Sequence, residues 1–149
     1  MAIPLLVLQV ASTWFLVGLI WTIQVVHYPL FAGVGADRFA SYQESHARLI
    51  TLVVGPLMLI EALTAVLFLT VRPPGIPAWI AWVGLGLVAL IWISTAFLQV
   101  PAHGRLAEGF DPETHARLVG TNWIRTIAWT ARGGLLGWAI YALLATARA

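Results

Sequence analysis

The sequence predicts an all-α integral membrane protein: a four-helix bundle built from two repeated helical hairpins of parallel topology. Three observations predict it. Of 149 residues, 60% are hydrophobic and 9% charged, and the mean hydropathy is +0.89; soluble domains carry roughly 25% charged residues. Four apolar runs are each long enough to cross a bilayer, which takes about 20 helical residues. Finally, Glu44-Ser45-His46-Ala47-Arg48-Leu49 returns as Glu113-Thr114-His115-Ala116-Arg117-Leu118, each copy leading from a polar segment into a long apolar run. A second echo lies upstream, where Leu19-Ile20-Trp21 matches Leu90-Ile91-Trp92 and His27-Tyr28-Pro29 has a reordered counterpart in Pro101-Ala102-His103. The chain therefore reads as one transmembrane domain, residues 1–149, with repeat halves near 1–74 and 75–149.

The first span is expected near 3–30. It lacks the cationic start of a cleaved signal peptide and is read as retained. Trp21, Gln24 and His27 or Tyr28 share a face of it at helical spacing, and Pro29 with Gly33-Val34-Gly35 is expected to end it. The second span, about 41–71, is expected to start at Asp37 or Ser41, where Ser41 and Glu44 have capping-box spacing. Pro56 is expected to kink this span. Glu61 falls about 18 Å beyond Leu49 at 1.5 Å per residue, which places a carboxyl group deep in the membrane.

Arg72-Pro73-Pro74-Gly75-Ile76-Pro77 is a stiff turn into a third span at about 78–100, which carries Thr95 and Gln99 on one face near its end. Gly84-x-Gly86-x-x-Ala89 has the outline of a dinucleotide fingerprint but no preceding strand, so helix packing is the better reading. Asp111-Pro112-Glu113 starts the fourth span, about 111–146: Asp caps, Pro takes the first position and Glu faces the positive dipole end. Gly133-x-x-x-Gly137 gives that span a small-residue face for an internal neighbour or for a second protomer in a homo-oligomer.

Four spans place both motif-bearing connections on one side of the membrane. That side carries Arg38, Arg48, Arg105 and Arg117, against Arg72 and Arg148 opposite, so the positive-inside rule assigns the histidine-bearing loops to the cytoplasmic side, of the inner (plasma) membrane if the protein is bacterial. Trp79 and Trp82 read as an interfacial belt. The remaining six tryptophans lie inside spans, where they line an aromatic cavity or simply pack.

Composition excludes several kinds of chemistry. Without cysteine there is no disulfide, iron–sulfur cluster or thiolate metal site. Without lysine, since all eight basic residues are arginine, there is no Walker-type phosphate loop and no Schiff base. The net charge of +2 is spread along the chain, which gives no nucleic-acid footprint.

The chemistry is left to a few polar residues. Glu44 with Arg48 and Glu113 with Arg117 have the spacing of helical surface ion pairs. His27, His46, His103 and His115 all fall at hairpin ends. If the repeat holds in space, four imidazoles converge near one membrane face, a donor set for Fe, Cu or Zn or for axial ligation of haem; the alternative is that histidines favour the headgroup zone. Asn122, Arg125, Trp129 and Arg132 form one stripe on the fourth span. Glu61 and Arg132 lie at similar depth and are expected to form a structural ion pair. Arg125 has no acid at its level, only Gln24, Gln99 and Asn122, and is the candidate for gripping a ligand's oxygen atoms.

The segment Pro101-x-His103-x-x-Leu106, followed by Leu118, Asn122-Trp123 and Arg132, resembles the closing pattern of the anthrone-oxygenase-like family of small four-span membrane proteins. The family has Asn where this chain has His103. The resemblance implies a compact four-helix membrane protein acting oxidatively on a hydrophobic substrate. Together these readings give a small membrane oxidoreductase or oxygenase-like protein, with metal or haem on the histidines and a lipophilic substrate or quinone held by Arg125, Asn122, Gln24 and Gln99. The alternative is a transport or accessory subunit that uses its intramembrane Glu and Arg.

Overall fold

In the computed structural model, which describes residues 1–146, the chain forms four helices long and apolar enough to cross a membrane: α1 (Ala2–Gly33), α2 (Ala36–Leu67), α3 (Ala78–Leu106) and α4 (Pro112–Ala145). At 1.5 Å per residue they run roughly 45–50 Å, so their ends extend past a hydrocarbon core of about 30 Å. α1 and α3 each pack against both α2 and α4, which closes the bundle. The outward surface is apolar, with Leu52, Leu63, Phe97 and Ile127 each more than 60% exposed. That surface suits hydrocarbon, and the protein is an integral membrane protein.

Three prolines behave differently. Pro29, expected with Gly33-Val34-Gly35 to end the first span, does not stop its helix, and the third span runs past Pro101, beyond its expected end near residue 100. α1 continues to Gly33 and α3 to Leu106, each through a π turn, Ile23–His27 and Thr95–Gln99, that finishes two residues before the proline. In these turns Tyr28 N–H reaches Ile23 O and Val100 N–H reaches Thr95 O. Widening the helix there relieves the crowding of each proline ring against the carbonyl four residues back. Pro56, by contrast, sits inside α2 without interrupting the α-helix.

α2 begins at Ala36, earlier than expected. Gly35 precedes it, and Ser41, inside the helix, donates its hydroxyl to Arg38 O instead of capping. The α2–α3 turn is held by Arg72, which donates to Leu69 O at 2.7 Å and Ile76 O at 3.2 Å, while Gly75 supplies the positive φ of 94° that the turn requires. The start of α4 is as expected: Asp111 Oδ2 accepts the Thr114 N–H at 2.9 Å. Arg148 lies outside the described residues.

Two apolar layers fill the bundle. One gathers Leu16, Ile20, Phe31, Phe39, Leu118 and Trp129; the other gathers Leu6, Phe68, Ile76, Ile80 and Leu136 at the opposite end. On α4, Arg132 stands between Trp129 of the first layer and Leu136 of the second.

Candidate functional site

Glu61 is fully buried on α2. Its Oε1 accepts Thr13 Oγ1–H at 2.8 Å and Arg132 Nε–H at 3.0 Å, and its Oε2 accepts Trp129 Nε1–H at 3.0 Å. Arg132 also donates through Nη1 to Gly84 O at 2.7 Å. The expected ion pair is therefore present, and α1, α3 and α4 all contribute to it. Gly84 is part of it: a Cβ there would lie 2.8 Å from Arg132 Nη1, so glycine is needed for the approach. Among the described residues the other ion pair is Arg38 with Asp37. The expected Glu44–Arg48 and Glu113–Arg117 pairs are not closed, because holding two long exposed side chains together gains little against their entropy.

Two turns away on α4, Arg125 has no carboxylate. Its Nε and Nη2 donate to Asn122 Oδ1 at 2.9 and 2.6 Å, and its Nη1 donates to Thr95 Oγ1 at 3.2 Å. Asn122 in turn donates to Gln24 Oε1 at 2.8 Å, and Gln24 donates to Val119 O. Gln99 is separate from this chain: it accepts from Ser94 and donates to Thr121. The guanidinium lies 5.7 Å from the Trp129 ring centroid and beside the Tyr28 hydroxyl. The π turns place Gln24 and Gln99 within the bundle, one from each half.

The histidines divide three and one. His27 Nε2 and His46 Nδ1 share a hydrogen bond at 2.9 Å, and the His46 and His103 ring centroids are 5.5 Å apart. Gln43 Nε2 donates to His103 Nδ1 at 2.6 Å and leans towards His103 O. This assigns the ring proton to Nε2, which donates to the Tyr28 oxygen at 2.9 Å. His115 does not join them. Its Nε2 donates to Tyr28 O at 2.8 Å, and its ring stacks on Phe31, whose other neighbours include His46. The four-imidazole convergence is thus replaced by a cluster of three with Phe31 between it and the fourth. Among the described residues no group of three or more His, Asp or Glu side chains is arranged to hold a metal ion.

A cavity of about 250 Å³ lies beneath this cluster. Leu16, Ile20, Ile23, Val54, Met58 and Trp129 give it apolar walls, and Tyr28, His103, Arg125, Gln99 and Thr95 form its polar end. Of the six intraspan tryptophans, Trp92 and Trp129 line it, and Trp129 alone of the eight is fully buried; Trp14, Trp21, Trp123 and Trp138 are exposed. Gly133 packs internally, where a Cβ would meet Val17 at 3.3 Å, while Gly137 faces open space.

Sequence reasoning missed Gln43, Thr13 and the carbonyl of Gly84. A signal existed for Gln43, three residues before His46 and so on the same helical face. Compared with protein-family models, curated proteins and solved structures, the chain matches none.

Proposed function

We propose that this protein is a small membrane oxidoreductase that binds a lipophilic molecule bearing a carbonyl or phenolic oxygen, of the quinone class, in the cavity beneath the histidine cluster. One observation carries the reading: an apolar chamber whose polar groups are gathered at a single end, with the Arg125 guanidinium lacking a carboxylate partner. Binding sites for small molecules combine such walls with a few convergent polar groups. Arg125 donates to the ligand oxygen, and the His103–Tyr28 pair holds a proton that either partner can pass on. The resemblance to the anthrone-oxygenase-like family points to the same class of substrate.

In the oxidoreductase form of this proposal, His27, His46 and His103 would hold Fe, Cu or haem iron, which would supply the electron chemistry, or Zn, which would supply Lewis acidity. The imidazoles as they stand do not fit that group. His27 and His46 bind each other, both nitrogens of His103 are engaged, and only His46 Nε2 is buried without a partner. Ligand binding in the cavity does not depend on it. The arginines Arg38, Arg48, Arg105 and Arg117 near the cluster support a cytoplasmic placement of this end.

Titration of the purified protein with a benzoquinone, followed by tryptophan fluorescence, tests the reading, because Trp92 and Trp129 line the cavity. Saturable quenching that shifts to higher benzoquinone concentration in Arg125→Met is expected; quenching that is unsaturable or unchanged by the substitution refutes it. Metal analysis and visible absorption of protein purified without chelators test the cofactor separately.

A second reading, a transport or accessory subunit, is favoured by the polar groups that follow α4 from Arg132 and Glu61 to Arg125, Asn122 and Gln24. It requires that replacing Glu61 and Arg132 together by apolar residues abolish proton or anion flux in liposomes while replacing the histidines does little.

A further inference from the structure

We infer that the cavity opens sideways into the bilayer between α2 and α3, and that its occupant is a single-ring molecule whose lipophilic tail passes out through this gap. The inference rests on the binding reading above and names the class of molecule more narrowly. At about 250 Å³ the chamber falls below the roughly 300–1,000 Å³ typical of sites for drug-sized ligands, so it has room for one ring and not for a tail as well.

The way out is set by which walls are buried. Towards the headgroups the bundle is shut by Tyr28, Phe31, Phe39, Leu106 and Leu118, none more than 2% exposed. On the inner side Leu16 and Ile20 of α1 and Trp129 of α4 are equally buried. The α2–α3 side differs. Thr51 of α2 and Trp92 and Val100 of α3 line the cavity and are also exposed on the outer surface, Val100 by 60%. Gly55 adds no side chain to this wall, and a Cβ there would find only Thr51 Cγ2, at 3.8 Å.

The surface around the gap is the hydrocarbon-facing one. Leu52 is 69% exposed, Ile93 56% and Phe97 74%. A tail leaving between Thr51 and Val100 therefore stays in lipid, while the ring's oxygen faces Arg125 and His103 inside the chamber. A water-soluble ligand would have to cross this apolar rim to reach the same groups.

The test uses protein in lipid nanodiscs and two probes, a ring-only dimethoxy-methyl-benzoquinone and the same ring with a decyl tail. Binding is read by tryptophan quenching. Thr51→Phe and Val100→Phe narrow the gap from its two sides at exposed positions. Because both residues also line the cavity, the readout is the ratio of the two affinities: we expect each substitution to weaken binding of the decyl probe about tenfold or more beyond its effect on the ring-only probe. Unchanged binding of both probes overturns the lateral gap and leaves the ring site standing. An equal loss for both probes overturns it as well, since the substitutions then act on the ring site. If the wild-type protein binds neither probe, the quinone reading itself fails and this inference falls with it.

Discussion

Arg125 and Arg132 stand two turns apart on one stripe of α4, both buried, and they differ in what they face. Arg132 meets the Glu61 carboxylate, a backbone carbonyl and a glycine that makes room for it. Arg125 meets neutral oxygens, those of Asn122, Thr95 and Tyr28, and the edge of a cavity. A guanidinium in hydrocarbon costs about 2.5–3.5 kcal/mol even on the lenient insertion scale. Where an acid compensates that cost, the result is a structural joint between helices. Where neutral dipoles alone compensate it, charge remains for a ligand. The difference lies in the partners, because the side chain is the same.

The largest effect expected from breaking this contrast is at the joint. Glu61→Leu strands a buried guanidinium and should cost about 3–5 kcal/mol, measured by denaturant unfolding in detergent. The double variant Glu61→Leu/Arg132→Met should be less damaged than either single one. A double variant worse than both singles would show that the pair does more than neutralise itself.

At the cavity, Arg125→Met should leave the bundle folded, by helical circular dichroism, and weaken benzoquinone binding by about 10–100-fold, the range of one hydrogen bond to a charged group worth about 1.5–3 kcal/mol. Equal affinity in the variant would make Arg125 as structural as Arg132. Next, Gly84→Ala places a methyl group against Arg132 Nη1 and should destabilise by about 1–3 kcal/mol with no loss of binding, which separates the two regions genetically.

The smallest effect is far from both, at the α4 cap. The Asp111 carboxyl is held below its ordinary value of 3.8, first by its hydrogen bond with the Thr114 side chain and then by the Thr114 backbone N–H. Its folded-state value being the lower one, the cap's contribution is fully present above the ordinary carboxylate range and is lost as pH falls through the folded value. Asp111→Asn should therefore flatten the acid limb of a thermal-stability profile and leave the neutral limb nearly unchanged. An unaltered acid limb would remove Asp111 from that role.

How much of this was legible depended on the kind of signal. Glu61 and Arg132 could be matched because helical rise converts sequence distance into depth, and an isolated charge at that depth demands a partner. Asp111 was legible because capping is local. The histidines were legible only in part. The repeat brings His46 and His115 to equivalent ends, but Phe31 lies between them, and whether a ring on one helix reaches a ring on another depends on packing, not on spacing. Pro29 was read with Gly33-Val34-Gly35 as a terminator, and the third span was ended near residue 100, because regular helical period carries no mark of the π turns that take each helix past its proline.

The sequence by itself determined that this chain crosses a membrane four times, that its polar side chains turn inward, and that an acid and an arginine meet at mid-depth. Each follows from composition and period, because lipid tolerates neither free backbone amides nor unpaired charge. Tertiary structure alone decided that Tyr28, Gln43 and His103 join, that Arg125 borders a chamber, and which residues of the chamber's lining are exposed. Those outcomes turn on ångström-scale contacts among four helices, to which helical periodicity along any one of them is blind.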